Sequence, residues 1–120
     1  MKVLSTSVVI VTSDLEAAIK RYEALTREVV RERFELPDRG IRIAILGSLT
    51  LIAGPDREIG ALRNVRATFI VDSLAEFDAH LRSTGATTLQ APSPTPSSTN
   101  LIVRDVEGVV FEFVEPHLKE

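Results

Sequence analysis

VVIVTSDLEAAIKRY, residues Val8–Tyr22, and ATFIVDSLAEFDAHL, residues Ala67–Leu81, are two copies of one pattern. Each opens on a run of β-formers and passes through a short polar step into an apolar stripe at helical spacing. Laid over one another, Val11 falls on Ile70, Leu15 on Leu74 and Tyr22 on Leu81. In the first copy Ser13-x-x-Glu16 can form a capping box, or Asp14 can itself cap the helix; in the second the corresponding box is Ser73-x-x-Glu76. Leu15, Ala18, Ile19, Tyr22 and Leu25 make one helical stripe, and Leu74, Phe77 and Leu81 the other. Helices of this length are marginal alone in water, so each stripe is expected to pack on a sheet. Gly85 stands where a left-handed cap would end the second helix.

Outward from these helices the copies continue alike. Strands are expected over 28–34 and 87–90, then over 41–46 and 49–53 in the first half and 101–104 and 109–115 in the second. Gly47-Ser48 suits a tight primed hairpin, and Gly108 can supply the positive φ of the longer RDVEG connection. SLTLIAGP lies over VVFEFVEP after a two-residue adjustment. Each half therefore reads β-α-β-β-β. The expected class is α+β: two βαβββ modules forming a curved mixed sheet around a central cavity, within one domain spanning 1–120. Module one covers about 3–54, a charged Gly/Pro-containing linker 55–64, and module two about 65–116. The stretch APSPTPSSTN, residues 91–100, is too rich in proline and serine for a strand or helix interior, which leaves a lid or a plain surface loop. LTLIAG and VVFEFV are apolar on both faces, so the face away from each helix must be covered by curvature, by the sister half or by a second copy in a homodimer.

Composition narrows the function. With 120 residues, 44% hydrophobic and 26% charged, the chain can form one substantial core. A net charge of -3 supplies no large positive field for nucleic acid or an anionic membrane. No apolar run approaches the roughly eighteen residues of a membrane span, and no signal-peptide cleavage region follows the amino terminus, so a cytoplasmic location is expected. The absence of cysteine removes disulfides, thiolate nucleophiles and sulfur-ligated metals. No nucleophile triad, phosphate loop or paired catalytic carboxylates stand out.

VVIVTSDLEAAIKRYEAL at the start and VRDVEGVVFEF at the end resemble the vicinal oxygen chelate superfamily, which includes glyoxalase I, extradiol dioxygenases, fosfomycin-resistance enzymes and bleomycin-binding proteins. Val106 replaces the proline of the family's Asp-Pro-x-Gly turn. The resemblance implies two βαβββ modules around a shared cavity, often across a homodimer, with a divalent metal held at four inner positions. Those positions match Ser7, Leu51, Arg66 and Glu112. Leucine has no donor atom, guanidinium has no lone pair to offer and a hydroxyl replaces imidazole poorly, so neither metal nor any other cofactor is expected. The histidines do not restore the set: His80 falls on the polar flank of its helix and His117 lies beyond Pro116 near the chain end.

Glu112 alternates with Phe111 and Phe113. If the phenylalanines meet the helix, its carboxylate faces the other side and needs a partner. The resemblance brings Arg66 towards it as a pair in the metal's place, structural or ligand-binding. Arg42 alternates away from Ile41, Ile43 and Ile45, towards the cavity or towards water; Tyr22 belongs to its helix stripe, Arg104 to the surface and Asp105 to its turn. The leading expectation is a metal-free protein that binds a small organic molecule with Arg66, Glu112, Arg42, Ser7 and Leu51. The alternatives are a glyoxalase-like isomerase, lyase or dioxygenase, and a structural homodimer without a ligand; aromatic residues, at 5%, offer few platforms for bleomycin itself.

Overall fold

The computed structural model describes residues 1–117. Its elements are β1 (Val3–Val11), α1 (Leu15–Thr26), β2 (Glu32–Leu36), β3 (Ile41–Leu46), β4 (Leu49–Ala53), α2 (Asp56–Ile59), β5 (Val65–Val71), α3 (Leu74–Ser83), β6 (Thr87–Pro94), β7 (Ser98–Arg104) and β8 (Val110–Pro116). The chain divides into two compact units, Ser7–Asn64 and a second that joins residues 1–6 to the chain from Val65 onward. Each is a βαβββ module with a mixed sheet, the α+β class read from the repeat.

In the first unit the strand order is β2-β3-β4-β1, with β1 parallel to β4 and the rest antiparallel. Asp14, not Ser13, caps α1: its Oδ1 accepts the Ala17 N–H at 3.1 Å. Leu15, Ala18 and Ile19 pack on Ala44, Leu46 and Leu51, with Tyr22 against the same cluster. The helix ends on Arg27 at φ 62, and Glu23 then takes the Val30 N–H at 3.0 Å. Val30 is thereby drawn against the α1 core, and β2 starts at Glu32, later than its β-branched lead-in suggests. Gly47 has positive φ and Ser48 does not, which fits a II′ hairpin and not I′.

The linker is structured. α2 and the 3-10 turn Gly60–Asn64 carry Ile59 and Leu62 onto Ile41 and Ile52, beside Val9 and Val11. Ile59 is 1% exposed, so within this unit the linker itself covers the part of the sheet face opposite α1 that Ile41 and Ile52 form. Gly54 permits the close return: a Cβ there would meet Ile41 Cγ1 and Ile59 Cγ2 at 3.2 Å and the Gly40 carbonyl oxygen at 3.3 Å.

In the second unit the order is β5-β8-β7-β6, with β5 parallel to β8. Ser73 Oγ accepts from the Glu76 N–H at 3.3 Å, and Glu115 adds a second cap by taking the Leu74 N–H at 2.7 Å. Phe77 of α3 meets Phe113 with ring centroids 5.6 Å apart, and Phe69 lies 5.2 Å from Phe111 and 5.3 Å from Phe113. The Pro/Ser-rich stretch is a correction to the expected loop or lid. β6 runs through Pro94 and β7 begins at Ser98, leaving only a short turn in which Thr95 N–H donates to Ser98 O at 2.7 Å. Proline is tolerated because β6 is the outer strand of this unit's order and its register with β7 shifts between Gln90 and Ser93.

Candidate functional site

Which residues share the face away from each helix follows from alternation and pairing. In module two Phe69, Phe111, Phe113, Leu101 and Val103 join the α3 cluster, so Thr68, Glu112 and Ile102 lie on the opposite face. Thr68, Glu112 and Ile102 are direct cross-strand neighbours, and Gln90 of β6 pairs with Ile102 in turn. Glu112 is 9% exposed and Thr68 5%. Thr68 Oγ1 donates to Glu112 Oε1 at 2.9 Å.

Burial holds the Glu112 carboxyl above the ordinary carboxylate range, because a charge there gives up its hydration; the Thr68 hydrogen bond pulls the other way and is the weaker influence. A carboxyl whose pKa is raised by burial takes up a proton more readily than an exposed one and can donate a hydrogen bond when protonated.

The expected Arg66–Glu112 pair is corrected. Arg66 is exposed and forms no ion pair among the described residues. Thr68, not Arg66, stands opposite Glu112, and a β-bulge between Val65, which pairs with Val110, and Ala67, which pairs with Phe111, leaves Arg66 without a partner on β8.

Leu51 and Arg42 lie on the helix side of module one. Leu51 is fully buried with Leu15, Ala18 and Ile19, where it meets only side chains of its own core. Arg42 Nη2 donates to Glu16 Oε2 of α1 at 3.2 Å, and its Nε lies 3.9 Å from Glu35 Oε1. Arg33 donates to the same Glu16 carboxylate at 2.8 Å and holds it below the ordinary range. Of the open orientations for Arg42, the structure selects the α1 side.

Ser7 faces away from α1, on the side of Val9 and Val11, and its hydroxyl hydrogen-bonds Thr50 Oγ1. Val9 stands beside Thr50 in β1–β4 as Thr68 stands beside Glu112 in β5–β8. Thr50, not Leu51, is therefore module one's counterpart of Glu112. The two-residue adjustment between the halves is one residue short, and such a slip exchanges the faces of a whole strand. Sequence reasoning missed Thr50 and Thr68. Their signal was available: each is a lone hydroxyl among apolar neighbours in a central strand.

His80 is exposed on α3, and His117 Nε2 lies 3.0 Å from Thr99 Oγ1 on the surface. Among the described residues no group of three His, Asp or Glu side chains gathers closely enough to hold a metal ion. No helix among the described residues is long and apolar enough to cross a membrane.

No family model and no curated protein matches the chain. Solved structures do. An uncharacterized protein from Methanosarcina mazei is 38% identical over 100% of this chain and 98% of its own, with a TM-score of 0.87. Methylmalonyl-CoA epimerase from Mycobacterium tuberculosis is 23% identical over 97% of this chain and 90% of its own, with a TM-score of 0.77. A variant of the Streptomyces coelicolor methylmalonyl-CoA epimerase, in complex with 2-nitronate-propionyl-CoA, is 21% identical over 98% of this chain and 100% of its own, with a TM-score of 0.73. At these identities the epimerases share the fold.

Proposed function

We propose that the chain, which resembles the vicinal oxygen chelate superfamily in sequence and shares its fold with methylmalonyl-CoA epimerases, binds a small organic molecule and isomerises it by proton transfer through Glu112. The observation that carries this reading is the burial of Glu112 on the helix-free face of module two, where Thr68 is its hydrogen-bond partner and its carboxyl is held above the ordinary range. An acid tuned upward by desolvation takes a proton more readily than an exposed carboxylate. It removes a proton from a carbon next to a carbonyl and returns it at another position. The electron pair of the C–H bond passes into the enolate and back, so the substrate leaves with its atoms unchanged.

Isomerisation is favoured over lyase or dioxygenase chemistry for two reasons. A proton shuttle needs no redox partner, and solved proteins of similar fold carry the name epimerase. Thr68 keeps the carboxylate oriented when it is ionised, and Ile102 beside it lowers the local dielectric. A second reading, binding without turnover, draws on the lack of another acid in the Thr68–Glu112–Ile102–Gln90 row. In that case a protonated Glu112 serves as a donor to the ligand. The homodimer and the cytoplasmic location remain parts of this proposal.

The test is solvent exchange. Small carbonyl compounds are incubated with the protein in D2O and followed by proton NMR. Deuterium should enter next to the carbonyl of a subset, and Glu112→Gln should slow its entry by about 10²- to 10⁴-fold. Compounds that bind yet never exchange in the wild-type protein would leave the binding reading in its place.

A further inference from the structure

In module two the row of side chains next to the one that holds Glu112 has a character of its own. Pairing sets Ile70 beside Val114, Val114 beside Asn100 and Asn100 beside Ser93. Val114 is two residues from Glu112 on β8 and Asn100 two residues from Ile102 on β7, so this row shares the face opposite α3 and lies about 7 Å further along the strands. All four of its residues are half-buried. Ile70 and Val114 make one end of the row apolar. Asn100 and Ser93 make the other end polar without charge.

The polar end is wired to the turn between β6 and β7. Ser98 Oγ donates its one hydrogen to Asn100 Oδ1 at 2.8 Å, so the 3.0 Å contact between the Thr95 and Ser98 hydroxyls takes its hydrogen from Thr95. Thr95 Oγ1 is fixed in turn by accepting the Ser98 N–H at 3.1 Å. The turn is closed without Asn100, because the Thr95 N–H donates to Ser98 O at 2.7 Å. Asn100 is therefore held by the turn and is not required to make it. With Oδ1 engaged, the Asn100 amide nitrogen keeps its donors and makes no hydrogen bond among the described residues. No fully buried side-chain nitrogen or oxygen among the described residues lacks a partner, so Nδ2 stands within reach of a bound molecule.

We infer that Asn100, positioned by Ser98, is a ligand-binding residue of this face, and that its Nδ2 donates to an uncharged oxygen acceptor, an amide carbonyl or a hydroxyl, on a small molecule whose apolar body covers Ile70, Val114 and Ile102. The preference for an uncharged group follows from the neighbours. A carboxylate brought against this half-buried row loses water, and neither Asn100 nor Ser93 returns a positive charge. Arg104 is four residues from Asn100 on β7, about 13 Å along the strand, beside Val110. Binding at Asn100 stands apart from the proposed proton transfer. Only the further statement that a molecule held there sets a C–H bond before Glu112 rests on that reading.

Benzamide and benzoate, which share a shape and differ in charge, are titrated separately into isotopically labelled protein at pH 7 and followed by NMR of backbone and side-chain amides. Benzamide should produce saturable shifts in the Asn100 side-chain amide and the backbone of residues 98–102, and benzoate should bind at least about tenfold more weakly. Asn100→Asp keeps an oxygen for Ser98 and removes the donor. It should weaken benzamide binding about three- to tenfold, with the backbone signals of residues 95–98 in place as proof that the turn survives. Ser98→Ala should also weaken binding and shift the Asn100 side-chain amide in the free protein, and Ser98→Thr should restore both. No saturable shift with benzamide, equal benzamide affinity in Asn100→Asp, or benzoate bound as tightly as benzamide overturns the assignment. Glu112→Gln should keep benzamide binding while losing deuterium exchange. Asn100-dependent binding in a wild-type protein that exchanges nothing would therefore end the isomerase reading and leave Asn100 in its role.

Discussion

Thr68 and Glu112 face each other across the parallel β5–β8 pair, and the threonine hydroxyl donates to the buried carboxylate at 2.9 Å. In module one Ser7 and Thr50 bridge β1 and β4 with hydroxyls alone. Module two keeps an ionisable group at the place where module one has a neutral one. The titration behaviour of the protein should follow from that difference.

The first expectation concerns pH. The Glu112 carboxyl titrates higher in the folded than in the unfolded chain, so between those two values the native state holds the extra proton. Stability contributed by this group is full below the unfolded value of about 4.5, falls as pH rises through the folded value and levels off above it. Glu112→Gln should remove that decline. Urea unfolding from pH 4 to 9 should show a flatter profile for the variant; parallel profiles would mean that Glu112 is not desolvated.

Thr68→Val tests the partner. Valine keeps the bulk but leaves the ionised carboxylate without its donor, which costs about 1–3 kcal/mol for a buried acceptor and more for a charged one. The loss should be larger above the pH at which folded Glu112 ionises than below it, where the protonated carboxyl has less need of a donor. A carboxyl-labelled NMR titration should show Glu112 moving further up. An unchanged titration would deny Thr68 its role.

Much of the fold was legible because the repeat is written in period and capping: Leu15 over Leu74, and a helix started by Asp14 or Ser73, need no tertiary information. The Phe111 and Phe113 alternation likewise placed Glu112 opposite α3. What stayed hidden depended on register. The bulge at Arg66 removes its partner on β8 and the one-residue offset at Thr50 changes which face a side chain takes, yet neither alters composition or local periodicity. The Pro92–Pro94 stretch was misread for a related reason. Proline argues against a central strand, and nothing local says that a strand lies at the edge.

Register itself is testable at neighbouring residues. Leu51 is fully buried against α1, so Leu51→Ala should cost about 2–5 kcal/mol in chemical denaturation. Thr50→Val removes one hydroxyl pair on the other face and should cost about 1 kcal/mol. If β4 were shifted by one residue, Thr50 would carry the helix contact and the ranking of the two variants would reverse.

The linker supplies the last expectation, because it does more than connect. Ile59 is 1% exposed against Ile41 and Ile52, so truncation to alanine leaves a cavity in the face opposite α1 and should cost about 2–5 kcal/mol. Gly54→Ala acts on the same contact from the opposite direction. Its methyl would press on Ile41 and Ile59 at 3.2 Å and on the Gly40 carbonyl at 3.3 Å, and the backbone oxygen cannot turn away as a side chain can. Overpacking of this kind costs about 1–3 kcal/mol. In Gly54→Ala/Ile59→Ala the smaller residue at 59 makes room for the new methyl. The combined loss should therefore fall short of the sum of the single losses by more than about 0.5 kcal/mol, the range within which independent sites add. Strict additivity in urea unfolding would separate Gly54 from Ile59 and undo the account of how residues 55–64 fold back over module one.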